Sequence, residues 1–137
     1  MRSLLDTKLL VYADAADEPA KQRRALALIT ALRSGGSAVL STQVLQEYVN
    51  VALRKLRLPQ ALIRERIAFY RRFEMVPASA DVIAGALDLH VLHGLSFYDA
   101  LIVQAAVVSG CQRVLSEDMQ HAAVYGGVRI ENPFIGL

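Results

Sequence analysis

The chain has 137 residues, of which 54% are hydrophobic and 20% are charged, a balance that suits a single folded domain and excludes an intrinsically disordered protein. The net charge of +2 permits a nucleic-acid partner without demanding one. A lone cysteine excludes an intrachain disulfide, and no apolar run approaches the roughly 20 residues of a membrane span. We therefore expect one cytoplasmic domain over residues 1–137.

Short apolar runs alternate with helical patterns along the whole chain. Buried strands are predicted at 4–5, 38–40, 75–76, 114–115 and 128–130. Helices are predicted from Pro19 to Gly35, from Ser41 or Thr42 to Pro59, from Pro59 to about Phe73, from Ser79 or Asp81 to Gly94, and from Phe97 to Val108. The apolar run 9–12 either continues the first strand or forms a short helix. This alternation predicts a parallel sheet with helices on both faces.

Polar residues at the carboxyl ends of the strands are the first place to look for a site, because open α/β sheets bind ligands there. Asp6 ends the first strand, and Ser116 and Asp118 follow the fourth. Glu47 lies about one turn into the helix after the second strand. Asp99 interrupts an otherwise apolar helix in its first turn. We expect these four acids to converge on one edge of the sheet.

A cluster of four carboxylates usually persists because a cation neutralises its charge. Oxygen ligands favour Mg²⁺ or Mn²⁺ over Zn²⁺. Two such ions about 4 Å apart can activate a water and stabilise the leaving oxygen of a phosphodiester. The acids therefore predict a metal-dependent enzyme acting on nucleic acid, with no Ser-His or Cys-His nucleophile required.

Four segments resemble the motifs of PIN domains, in the order in which that family carries them. They are residues 5–12, 41–51, 95–102 and 115–120, with Asp6, Glu47, Asp99 and Asp118 as the acids. The ending, residues 130–134, is similar to the family's last strand and tail. The match runs over nearly the whole chain.

The resemblance implies a doubly wound, three-layer α/β fold with a central five-stranded parallel sheet flanked by helices. It implies a Mg²⁺-dependent endoribonuclease, with Mn²⁺ as a possible substitute, that cleaves RNA. It also implies the VapC-type toxin of a bacterial type II toxin–antitoxin pair, a cognate antitoxin that blocks the site, and a homodimer. The implied metal-binding and catalytic residues, followed by the supporting ones, are Asp6, Glu47, Asp99, Asp118, Ser116, Thr7 and Lys8.

One position departs from the family pattern. Lys8 stands where the first motif usually has asparagine. Its ammonium group can reach the acidic cluster and compete with a divalent cation, or it can turn to solvent and contact RNA phosphate.

Each candidate also has a purely structural interpretation. Asp99 could form a capping box with Ser96 at the start of its helix. Glu47 could lie on a solvent-exposed helix face. Asp118 could cap a last short helix. The Ser116 side chain could hydrogen-bond only to the local backbone. Five further acids are interpreted as surface charges or caps: Glu117, Asp14, Asp17, Asp81 and Asp88. His90 and His93 form a possible metal pair that lacks a third ligand.

Other functions fit less well. An aspartyl-phosphate phosphatase needs a second acid two residues after the nucleophile, where this chain has Lys8. A phosphate-receiver domain needs an acidic pair ahead of the first strand's acid, and Arg2 and Ser3 stand there instead. A non-catalytic PIN-like module that binds RNA or a partner protein stays open as the alternative to a nuclease.

Overall fold

Strands and helices alternate over residues 1–137, all of which the computed structural model describes. The strands are β1 (Ser3–Leu5), β2 (Ala38–Ser41), β3 (Glu74–Val76), β4 (Arg113–Leu115), β5 (Val124–Tyr125) and β6 (Val128–Glu131). The helices are α1 (Thr7–Ala13), α2 (Pro19–Ser34), α3 (Thr42–Arg54), α4 (Gln60–Tyr70), α5 (Ala80–His93) and α6 (Phe97–Val108). The predicted α/β class is confirmed.

The sheet places β1 in its middle, because the strand order is β3-β2-β1-β4-β6-β5. Leu4 of β1 is in register with Val39 of β2 on one side and with Val114 of β4 on the other, both in parallel. These three residues are completely buried. Such continuous burial is typical of parallel strands covered on both faces by helices. Because β1 and β4 are parallel neighbours, their carboxyl ends meet at one edge of the sheet.

The prediction of five parallel strands is wrong in number. The sheet has a sixth strand, β5, which pairs antiparallel with β6. Gly126 and Gly127 join the two strands, and both have positive φ, at 57° and 80°. Two consecutive residues with positive φ make the tight turn that suits a β-hairpin, and glycine adopts this conformation without steric cost.

Local capping signals determine where several helices begin. Ser41, Ser79 and Ser96 accept hydrogen bonds from Val44 N, Val82 N and Asp99 N, at 3.2, 3.3 and 3.1 Å. These bonds resolve the two open choices of cap in favour of Ser41 and Ser79. The run 9–12 forms part of helix α1, which begins directly after Asp6. The predicted helix for a cap at Asp118 is absent, since residues 116–123 contain no helix.

The core lies between the sheet and its flanking helices. Helix α6 has more buried residues than any other helix, with six between Ala100 and Ala106. None of the helices is long and apolar enough to be a membrane span by itself. Only α5 and α6 taken together, across a bend of 116°, reach that length and composition.

Candidate active site

Asp6 lies at the centre of the sheet edge, directly after β1. Its backbone N–H donates to Leu115 O at 3.0 Å, which ties it to the end of β4. Its carboxylate accepts hydrogen bonds from Thr7 N and from the Ser116 hydroxyl, each at 2.7 Å. Only 7% of the residue is exposed. The Asp6 side chain is therefore held in one orientation by the two central strands and the first turn of α1.

Burial raises the pKa of Asp6 from its ordinary value of 3.8 to about 6. The hydrogen bonds from Ser116 and Thr7 favour the charged form and lower the pKa, but they do not cancel the effect of burial. The negative charges of Glu47 and Asp99 raise it further. The environment of Asp6 thus disfavours its negative charge.

Glu47 is held beside Asp6 from helix α3. The Thr7 hydroxyl donates to one carboxylate oxygen at 2.8 Å, and Gln43 Nε2 donates to the other at 2.8 Å. Gln43 also donates to Tyr98 O at 3.2 Å, which links α3 to the start of α6. Sequence reasoning missed Gln43. Its position one helical turn before Glu47 was the available signal, because residues four apart share a helix face.

Asp99 enters the cluster from the first turn of α6. Its backbone N–H donates to the Ser96 hydroxyl, as the structural interpretation predicted, and its charge still acts on the charges of the other acids. Burial is the main cause of the raised pKa of Asp99. The hydrogen bond with Ser96 opposes that shift, and the charges of Asp118 and Glu47 reinforce it. The capping role and the place among the acids are compatible.

Asp118 has a different environment from the other three predicted acids. It is exposed, and its carboxylate pairs with Lys8 Nζ at 2.9 Å. Lys8 also lies 3.5 Å from Glu117, which pairs with Lys21 at 2.8 Å and accepts from the Tyr12 hydroxyl at 2.6 Å. The Glu117 side chain is only 18% exposed, so its assignment as a surface charge or cap is wrong.

The structure therefore joins Asp6, Thr7, Glu47 and Ser116 directly through hydrogen bonds and brings Asp99 within their electrostatic reach. No Lys, Arg or His nitrogen lies within 4.0 Å of the carboxylates of Asp6, Glu47 or Asp99. The oxygen ligands of this set fit a hard divalent cation. No three His, Cys, Asp or Glu side chains are arranged closely enough, as they stand, to surround one ion.

The pattern of one known family covers most of the chain. The PIN-domain model matches residues 3–127. No curated protein sequence matches the chain.

Several solved structures share the fold. A toxin–antitoxin complex from Klebsiella pneumoniae gives a TM-score of 0.69 at 19% identity, covering 96% of this chain and 98% of that chain. DNA-bound VapBC from Salmonella typhimurium gives 0.68 at 18% identity, covering 97% and 98%. VapC20 from Mycobacterium tuberculosis, a sarcin–ricin loop cleaving toxin, gives 0.66 at 20% identity, covering 85% and 91%.

Proposed function

Because the chain belongs to the PIN-domain family, we propose that it is a Mg²⁺-dependent endoribonuclease and the toxin of a type II toxin–antitoxin pair. The observation that carries this proposal is the group of three carboxylates, Asp6, Glu47 and Asp99, without a cationic partner at the sheet edge. A protein gains little stability from such a group, so its presence is best explained by a bound cation.

Asp6, Glu47 and Asp99 would hold the divalent ion, and their carboxylates would have to move closer together than they stand to do so. When bound, the ion would supply an activated water and stabilise the leaving oxygen of the RNA phosphodiester. Thr7 and Ser116 position the acids: the Thr7 hydroxyl orients Glu47, and the Ser116 hydroxyl orients Asp6. Each hydroxyl donates to one carboxylate oxygen and so fixes the orientation of the acid that it contacts.

The experiment that tests this proposal is cleavage of several RNAs with Mg²⁺ or Mn²⁺. We expect Asp6→Asn and Asp99→Asn to lower the cleavage rate by roughly 10³-fold or more while the fold is kept. Asp88→Asn is the matched control, because Asp88 is an exposed acid on α5 without an ion pair. Equal rates for wild type and either site variant would refute the assignment. A wild-type protein that binds but never cleaves RNA would favour the non-catalytic module.

The proposal includes an antitoxin partner in the cytoplasm. Two of the structural neighbours are a toxin–antitoxin complex and a VapBC assembly, which supports a partner of that kind. We expect expression of this chain alone to arrest bacterial growth, and co-expression of the protein from the adjacent gene to restore it. Normal growth with abundant soluble wild-type protein would contradict the toxin role and leave the nuclease role standing.

A homodimer is also part of the proposal. Helix α5 exposes several large apolar side chains, with Leu87, Val91 and Leu92 at 54, 77 and 75% exposure. Exposed apolar groups that cluster on one element are typical of an interface. Light scattering should give twice the chain mass of 15.0 kDa, and a mass near 15.0 kDa at micromolar concentration would refute the dimer.

A further inference from the structure

The carboxylates at the sheet edge fall into two groups with different partners. The first group is Asp6, Glu47 and Asp99, whose carboxylates accept hydrogen bonds only from neutral groups. The second group is Glu117 and Asp118, and each of these pairs with an ammonium group. The two groups adjoin, since the charge of Asp118 acts on Asp99.

Lys8 forms ion pairs with both acids of the second group. It lies in the first turn of α1, the helix that Asp6 begins, and its Nζ is 2.9 Å from Asp118 and 3.5 Å from Glu117. Lys21 and Tyr12 already satisfy Glu117 at 2.8 and 2.6 Å. Lys8 is therefore free to make its shorter contact with Asp118.

The charges of the site indicate how many divalent ions it can accept. Five carboxylates and two ammonium groups leave three negative charges, all in the first group. One divalent ion would reduce that excess to one negative charge. A second ion at Asp118 would make the site positive overall and would lie next to the Lys8 ammonium, which repels it strongly at such short range.

We propose that Lys8 occupies the cation position beside Asp118, so that the site binds one divalent ion, on Asp6, Glu47 and Asp99, rather than two. Lys8 is thus an internal counter-ion that sets the metal stoichiometry. The inference rests on the proposed function and deepens it, because it specifies the metal content of that same site.

Calorimetric titration with Mn²⁺ tests the stoichiometry without reference to cleavage. Wild type should bind one Mn²⁺ per chain. Lys8→Met keeps most of the length of the side chain and removes its charge. It should bind a second Mn²⁺ per chain at concentrations at least about tenfold below any at which wild type takes up a second ion. Lys55→Met is the matched control, because Lys55 lines the same surface cleft as Lys8 but is in no ion pair. It should bind one Mn²⁺, as wild type does.

A double variant locates the second ion. Lys8→Met combined with Asp118→Asn should return to one Mn²⁺ per chain. The inference is overturned if wild type binds two ions, if Lys8→Met binds only one, or if the double variant still binds two. In each of those cases the metal site of the proposed function stands. If neither wild type nor Lys8→Met binds Mn²⁺, the proposed metal dependence fails and this inference fails with it.

Discussion

Helix α1 carries a nearly buried aspartate at each end, and the two have opposite surroundings. Asp14 caps the carboxyl end with its side chain 7% exposed. It receives hydrogen bonds from the Tyr48 hydroxyl and from Arg66 Nε and Nη2, the last at 2.8 Å. Asp6 caps the amino end, and it receives two hydrogen bonds and no cation. One carboxylate is fully neutralised by the protein, and the other is not.

This difference separates an acid with a structural role, Asp14, from the acid that we propose to be functional, Asp6. Asp14 ties α1 to α3 and α4 through Tyr48 and Arg66, and its charge is balanced within the fold. Asp6 has its pKa raised to about 6 by burial, in a place where a helix amino terminus should favour its charge. Burial alone therefore does not mark a site. A buried carboxylate without a counter-ion does indicate a site, because its charge has to be balanced by a bound cation.

Among the tests of the comparison between Asp14 and Asp6, we expect the largest change in the free energy of unfolding from substitution of Asp14. Asp14→Ala leaves the Arg66 guanidinium and the Tyr48 hydroxyl without their partner. Because Arg66 is 35% exposed, we expect a loss of about 3 kcal/mol in the free energy of unfolding, at the low end for buried ion pairs. Urea unfolding measures it, with Asp17→Ala, an exposed neighbour, as the control. Equal small losses in the two variants would mean that Asp14 is not structural.

The next effect is a pH dependence that belongs to Asp6. Since the folded pKa is raised from 3.8 to about 6, the folded state binds the Asp6 proton more tightly than the unfolded state does. The stabilising contribution is full below about pH 4 and is lost as the pH rises through about 6. Without divalent ions, Asp6→Asn should gain about 2 kcal/mol over wild type between about pH 4 and about pH 7. A constant difference between the two proteins across that range would contradict the raised pKa.

The smallest effect concerns the acids that the protein neutralises by itself near the site. Tyr12→Phe removes the hydroxyl that donates to Glu117 and should lower the free energy of unfolding by about 1 kcal/mol. Tyr98→Phe is the control, because the Tyr98 side chain is exposed and only its backbone carbonyl, not its hydroxyl, makes a hydrogen bond to another side chain. If the two variants are equally stable, Glu117 does not depend on Tyr12.

The sequence predicted what depends on local chemistry. Ser41, Ser79 and Ser96 cap helices through backbone groups three residues away, so their roles could be inferred from sequence spacing. The convergence of Asp6, Glu47 and Asp99 on one edge of the sheet is also predictable, because each follows or faces the end of a strand. The hairpin at Gly126 and Gly127 was missed, although a Gly-Gly pair between apolar residues is a known hairpin signal.

Sequence spacing could not predict the partners of Glu117. Tyr12 and Lys21 lie 105 and 96 residues before it in the chain. Their contact with Glu117 depends on how α1 and α2 pack beside the end of β4, which no local pattern encodes. The same holds for Asp14, whose partner Arg66 is 52 residues away. Sequence spacing predicts which acids reach the edge of the sheet, but it does not predict which of them the protein neutralises.

We propose above that Asp6 belongs to a site whose charge is balanced by a divalent cation. Urea unfolding of wild type and Asp6→Asn at about pH 7, with and without Mn²⁺, tests it most directly. Without Mn²⁺, the stability of Asp6→Asn relative to wild type should be about 2 kcal/mol greater at about pH 7 than at about pH 4. At Mn²⁺ about 100-fold above its dissociation constant and about pH 7, wild type should gain about 2.7 kcal/mol, and the variant should gain much less. An equal gain from Mn²⁺ in both proteins would contradict the claim.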